Sequence, residues 1–378
     1  MSSNSPSSRL SGVHLLGFRE NPSSGRHERV SAAKVGIEPF PCYAAGTRLL
    51  TDRGAVAVEK LQVGDDLVMA SGAQRPVRWL GSRRLDCARH PHPSAVWPIR
   101  IQGGAFADGV PARDLWVSPG HAILVEDVLI QAEKLVNGAT IVQVPLASVE
   151  YWHVELDSHD VLLAEGLAAE SYLDTGNRAA FLKNGGACVQ AHPDFTPKHW
   201  AETCVPLVLE GERLEQARGA LRERAVALGC LTEDPDLHVL VDGQRIDALR
   251  LTARRVALLL PPGGSRIEMR SRCFVPAQVQ PGSEDRRTLG IQVFRVQIDG
   301  EEVGLDHPEV WAAGSHPLER GADGQRWRWT RESLALPAGT RLVVFDTCPQ
   351  PPVYCITPAH ALTAAAPQRG TPAIATGY

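Results

Sequence analysis

No apolar run of this chain approaches the ~20 residues that a bilayer-spanning helix needs; the longest, such as Val256–Pro262, are far shorter. Nor is there a basic excess. The formal charge is -4 with both signs interspersed, which leaves no field to hold nucleic acid or an anionic membrane surface. The eight cysteines include no C-x-x-C pair, which argues against a zinc ribbon or a thioredoxin-like site, and they are too sparse for a disulfide-stapled miniprotein. Most are therefore read as small buried hydrophobes. His90-Pro91-His92 has no third ligand at metal spacing and reads as a surface loop, so neither a metal nor another cofactor is expected. Near the N-terminus the one apolar stretch is Val13–Phe18, shorter than the ~7–15 residues of a signal-peptide core and without a small-residue cleavage site after it. Sec-type secretion is not indicated, and the compartment stays unassigned.

What is present is a soluble-type composition, 43% hydrophobic and 22% charged, with 34 glycines and 28 prolines in 378 residues. That balance favours many short strands joined by turns, and the length asks for more than one core. Residues 1–40 are rich in Ser, Asn, Arg and Gly and read as a disordered leader. From Cys42 on, short apolar or alternating segments recur between Gly/Asp turns: Thr47–Thr51, Ala55–Val58, Leu67–Ala70, Trp97–Ile101, Leu115–Val117, Ala122–Val125, Ala139–Val144, Tyr151–Leu156 and Val161–Ala164. These predict an all-β domain over 41–182. Residues 183–205 read as a linker. Val208–Leu228 carries apolar residues at helical spacing and ends at Gly229, which predicts an amphipathic helix. Strands then return at Leu237–Val241, Val256–Leu260, Arg266–Arg270, Ile291–Ile298 and Arg341–Phe345, so 206–356 is expected to be a helix plus a β-sandwich-like domain. The Ala-, Pro- and Thr-rich stretch 357–378 reads as a disordered tail.

Four segments of the first domain carry the functional signal. Pro41-Cys42-Tyr43-Ala44-Ala45-Gly46-Thr47 is followed by Val58-Glu59-Lys60-Leu61-Gln62-Val63-Gly64-Asp65. Val117-Ser118-Pro119-Gly120-His121 comes next, then Trp152–Leu163, then Ala164-Glu165-Gly166-Leu167-Ala168-Ala169-Glu170-Ser171-Tyr172. In this order they resemble the Hedgehog/intein (Hint) family: a nucleophilic Cys with Gly-Thr close behind, a Val-Glu-x-Leu-x-x-Gly-Asp turn, a hydroxyl-x-x-His motif, a late His-bearing block and a closing strand. Val110-Pro111-Ala112-Arg113-Asp114-Leu115 and Glu170-Ser171-Tyr172-Leu173-Asp174 are similar to a bacterial subgroup of it. The resemblance implies a horseshoe-like β fold and single-turnover self-processing in place of a multiple-turnover enzyme, with the chain's own N-terminal segment as substrate.

The chemistry fits the residues. An N–S acyl shift needs a thiol or hydroxyl on the residue whose own amide nitrogen leaves, and Cys42 supplies the better nucleophile. His121 is the expected proton donor to that nitrogen, because an imidazole exchanges protons near neutral pH. Ser118 is expected to polarise the scissile carbonyl or hold the tetrahedral oxygen. His153, His159 and Asp157, with Asp86 more loosely aligned, are candidates to activate the nucleophile that resolves the thioester, which is water or a small external molecule. Inteins end in His-Asn; Glu170 and Ser171 stand in the corresponding positions, so Asn cyclisation and splicing are not expected. Pro41 crowds and restricts the bond to be cut, which predicts a slow or gated reaction.

In the second domain, Asp285–Gly290, Gly314–Glu319 and Arg328-Trp329-Thr330 resemble a β-sandwich module that follows Hint domains in some bacterial proteins. Trp311, Trp327, Trp329 and Arg328 form either a sugar-stacking face or ordinary core packing. The rival function is thus a degenerate Hint scaffold whose sandwich binds a glycan or a protein. A thiol protease acting on other chains fits less well, since a thiol just after the scissile bond suits one internal cut.

Overall fold

The computed structural model describes residues 41–174, 203–280, 283–311, 313–348 and 353–356. The expected leader 1–40, residues 183–202 of the linker and the tail 357–378 lie outside the described residues. The protein is all-β, with one longer helix.

In the first region the strands are β1 (Tyr43–Ala44), β2 (Arg48–Thr51), β3 (Gly54–Ala57), β4 (Asp66–Val68), β5 (Gln74–Pro76), β6 (Trp79–Asp86) and β7 (Ile99–Ile101). They continue as β8 (Leu115–Val117), β9 (Ala122–Val125), β10 (Val128–Gln131), β11 (Ile141–Gln143), β12 (Ser148–Glu155), β13 (Val161–Ala164) and β14 (Leu167–Glu170). One sheet has the order β11-β7-β8-β1-β12-β6. The other runs β10-β9-β14-β13-β2-β4-β5, with β3 hairpinned to β2. That hairpin turns at Asp52-Arg53 and closes on Gly54, whose φ of +105° an L side chain would resist. Leu49, Leu67, Ile99, Leu115, Ile123, Ile130 and Leu162 point into one shared core.

Two of the strands that escaped the sequence pattern did so for opposite reasons. Trp79–Asp86 contains Gly81 and Arg83-Arg84, which break the alternation, yet it pairs with β12 along its full length. Val128–Gln131 is buried at every position, so it has no polar face to alternate.

After the undescribed stretch the chain returns to the first region. β15 (Leu207–Val208) adds a parallel strand beside β10. The helix expected over Val208–Leu228 is α1 (Glu212–Ala227), closed by Gly229 at φ +69°. Although grouped by sequence with the second domain, α1 lends Leu214, Ala217 and Leu221 to the first core. Arg224 Nε donates to the Gly104 carbonyl at 3.0 Å, and Arg222 Nη1 to the Val279 carbonyl at 3.0 Å, so the helix bridges both regions.

The second region is a sandwich-like pair of sheets. The smaller joins Gln244–Asp247, His238–Val241, Ile267–Arg270 and Ser333–Leu336. The larger centres on Arg255–Leu259, Leu342–Thr347, Gln292–Ile298 and Arg326–Trp329. Val239 and Met269 from one sheet meet Leu258, Val296 and Phe345 from the other in a common core. Among the described residues no helix is long and apolar enough to cross a membrane.

Candidate active site

The register of β1 builds the site. Tyr43 pairs with Val117 of β8 on one side and Trp152 of β12 on the other, both antiparallel. The residue just before Tyr43 therefore lies beside the residues just after Val117 and Trp152, which are Ser118 and His153. The Cys42 amide donates to Ser118 Oγ at 2.9 Å, and the Ser118 amide donates back to the Cys42 carbonyl at 2.9 Å. The Cys42 sulfur lies 3.2 Å from His153 Nε2. The His153 ring also hydrogen-bonds the Pro41 backbone, and since proline has no N–H this contact is with its carbonyl.

The surroundings are dry. Cys42 is 2% exposed and His153 1%. Burial pushes the Cys42 thiol well up, with the Ser118 hydroxyl and the charge of Arg83 pulling against it. Burial drives His153 down to about 3, opposed by its bond to Pro41. Tyr172 packs edge-on against the ring at 4.7 Å between centroids, and Trp79 stacks at 6.5 Å, which supplies the apolar surroundings. The resting pair is a thiol beside a neutral imidazole.

His121, expected at the Cys42 amide, lies close to the Cys42 backbone. It is buried against Tyr43, with ring centroids 4.3 Å apart, and neither ring nitrogen makes a hydrogen bond of normal geometry. Burial takes its pKa down to about 3, His153 and His159 adding to the depression, while the nearby Cys42 backbone opposes it. Ser118, expected at the carbonyl, faces the leaving nitrogen instead. His153, expected in a later step, touches the thiol.

His159 belongs to a separate buried group: Nε2 meets Glu170 Oε2 at 3.2 Å, and Nδ1 accepts the Cys204 amide at 3.1 Å. Glu170 Oε1 accepts the Ala122 amide at 2.6 Å, while its backbone carbonyl accepts the Tyr43 hydroxyl at 2.8 Å. Burial alone would lower His159, but the Cys204 thiol and the facing carboxylate raise it to about 9. Burial pushes Glu170 up, and His159 pulls it back part of the way. Glu170 had no assigned role from sequence. Its one visible mark is a carboxylate inside the otherwise apolar run Leu167–Leu173.

Asp157 is not part of the site. It is half exposed in the turn after β12 and forms a two-point salt bridge with Arg78. Asp86 caps a short helical turn by accepting the Arg89 amide at 3.3 Å. The opening motif is explained by support. Gly46 donates its amide to Glu59 Oε2 at 2.8 Å and its carbonyl accepts Arg113 Nη2 at 2.6 Å, while Arg113 grips Glu165 with two bonds of 2.7 Å. The Gly46 turn that carries Cys42 into β1 is thus held from both sides.

The tryptophans of the second region are engaged within it. Trp311 is buried and donates to the Gly304 carbonyl at 3.0 Å, with Arg328 over its ring. Trp327 donates to Glu319 at 3.1 Å, and Trp329 packs edge-on against Phe274.

A two-sheet β domain whose first strand opens on a buried thiol against an imidazole fits the Hint resemblance of the sequence motifs. The comparison with family models agrees: residues 41–176 match the Hint domain, and over that stretch the chain carries one. Among solved structures, the gp41-1 intein is similar at 14% identity, covering 34% of this chain and 97% of its own, with a TM-score of 0.26. A bacterial intein-like domain from Clostridium thermocellum matches at 16% identity over 35% of this chain and 97% of its own, with a TM-score of 0.25. A DnaB intein from Synechocystis matches at 9% identity over 35% and 98%, also at 0.25. No curated protein matches the chain. A Hint domain supports self-processing chemistry in general; the particular steps rest on the side chains.

Proposed function

We propose that this chain cuts its own backbone once, at the Pro41–Cys42 bond, through a thioester. The observation that carries this reading is the Cys42 sulfur 3.2 Å from His153 Nε2, with the Cys42 amide held on Ser118 Oγ at 2.9 Å. His153 takes the thiol proton, and the sulfur attacks the Pro41 carbonyl carbon. The imidazolium so formed stabilises the developing oxyanion through the contact it already has with that oxygen. As the C–N bond breaks, the nitrogen gains a proton from His153 or, through its hydroxyl, from Ser118. The products are a Pro41 thioester on Cys42 and a free α-amine. Water or a small nucleophile then releases the segment ending at Pro41 and restores the thiol. His121, buried with its ring on Tyr43 and beside the Cys42 backbone, positions β1.

Splicing is not part of the proposal, because Ser171, in the position of the Asn, lacks the side-chain amide nitrogen that an Asn uses to cyclise. The cut is expected to be slow. A thiol pushed up by burial and an imidazole pushed down leave almost no thiolate at neutral pH. Intact mass of the expressed chain tests the reading. The expected product lacks residues 1–41, appears faster with dithiothreitol or hydroxylamine, and is abolished in Cys42→Ala. A chain that stays at full mass even with either reagent overturns the proposal.

A further inference from the structure

We infer that Trp79 selects the acceptor of the Pro41 acyl group. Its indole, laid across Gly81, shields the Cys42–His153 pair, admitting water or hydroxylamine and turning away thiols the size of glutathione. The inference rests on the self-cleavage reading and adds the residue that sets its outcome. Ladder register leads there. With Tyr43 paired to Trp152, Cys42 lies beside His153, and His153 pairs with Gly81 of β6, so the three form one row across β1, β12 and β6. Residues paired directly across a sheet point to the same face, and so do residues two apart along a strand. The indole of Trp79 therefore shares the face of the thiol and the imidazole. It fills the place of the side chain that Gly81 lacks: a Cβ built on Gly81 would stand 2.6 Å from Trp79 Cζ2, closer than real Cβ atoms come.

The row ends at Gly81, because β6 is the edge strand of its sheet, whereas on the other flank of Cys42 the sheet continues through β8, β7 and β11. Trp79 is half-buried on that edge, and His153 and Cys42 behind it are buried. Its ring stacks on His153, meets Tyr172 at 5.5 Å between centroids and packs on the apolar cluster that holds Cys42. The His153 ring already bonds the Pro41 carbonyl, so the carbon to be attacked lies behind the same indole. In the resolving step the acceptor's lone pair bonds that carbon, the C–S bond breaks, and the acceptor's proton ends on the Cys42 sulfur. A tripeptide thiol needs the ring moved aside for this; water does not.

The first test reads access and not cleavage. The full chain is treated with N-ethylmaleimide, and mass spectrometry of peptides that still span Pro41–Cys42 gives the labelling rate of Cys42 in uncut chains. Trp79→Ala is expected to speed it about tenfold, as a local opening does. Cys87, buried just past the far end of β6, should keep its rate. Gly81→Ala must swing the ring off its seat, so it is expected to act the same way and serves if Trp79→Ala does not fold. The second test sets glutathione against hydroxylamine and weighs the released fragment ending at Pro41. Either variant should shift the product ratio toward the glutathione thioester by about tenfold. Labelling of Cys42 no faster in a folded variant, or faster together with Cys87, overturns the inference, and so does an unchanged product ratio. Labelling as expected in a chain that never cuts upholds the shield and overturns the reading beneath it.

Discussion

Two cysteines of this molecule stand beside histidines, and their electrostatics are opposite. At Cys42 the ring is boxed by Trp79 and Tyr172; burial wins, and His153 falls to about 3. At Cys204 a fully buried carboxylate stands behind the ring, and His159 rises to about 9. The imidazole thus stays neutral in one place and holds its charge in the other. What differs is the third group, since an imidazole out of water keeps its charge only where an anion faces it. The dry pair suits a reaction that runs once and must not start early.

The largest expected effect of that difference is on stability against pH. His121 and His153 are buried neutral, each with its pKa lowered from 6.5 to about 3. A lowered folded-state value means the stabilisation is fully present above the unfolded pKa near 6.5 and is lost as pH falls toward 3. Each ring contributes on the order of 4–5 kcal/mol over that window, which together matches the whole stability of a typical domain. His159 has the reverse sign: its contribution is present below 6.5 and is lost as pH rises through about 9. Urea midpoints measured from pH 4 to 10 should fall steeply on the acid side and more gently on the alkaline side. His121→Gln and His153→Gln should flatten the acid limb, and His159→Gln the alkaline limb alone. An acid limb unchanged in both of the first two variants would mean the dry pocket admits water.

Next in size is the contrast in cleavage. If His153 moves the thiol proton, His153→Gln should slow the appearance of the shortened chain by roughly 10²–10⁴-fold, the usual range for a lost general acid–base. His159→Gln should leave the rate within a few-fold, because His159 bonds Glu170 and Cys204 and not the Cys42 sulfur. Time courses by intact mass decide it. Equal losses in the two variants would merge the two groups into one site.

How far this contrast was legible in the sequence depends on the residue. Cys42, Ser118 and the histidines could be found, because hydroxyl-x-x-His and the Gly-Thr after the cysteine are local patterns. Their roles could not, since a role depends on register: only the pairing of Tyr43 with Val117 and Trp152 shows that Ser118 meets the amide and His153 the thiol. Spacing along one segment put His121 and Ser118 together, and the turn after β8 keeps them so: the His121 amide donates to the Ser118 carbonyl at 3.1 Å while its ring packs on Tyr43. Several strands were readable as apolar segments between turn signals, including Ile99–Ile101 and Leu115–Val117, which are buried throughout, whereas Val128–Gln131 was not. The helix α1 was grouped with the second domain by neighbourhood, because periodicity shows that a helix has an apolar face but not what covers it.

Asp157 gives the smallest expected effect and the sharpest check on that reasoning. In sequence it lies between His153 and His159 and invites a catalytic role. In the fold β12 ends at Glu155, and the turn beyond it sends the carboxylate outward to Arg78, where it is 49% exposed. The Arg78 guanidinium holds its pKa below the usual carboxylate range, but a charge so open to solvent is screened by salt and acts weakly at a distance. Asp157→Asn should therefore leave the cleavage rate unchanged at any ionic strength and move the urea midpoint little. If it slowed cleavage, and more so at low salt, the field of a surface carboxylate would be reaching His153 through the protein. The Cys42 pocket would then feel a surface carboxylate as well as the buried charge of Glu170, which already acts on its thiol.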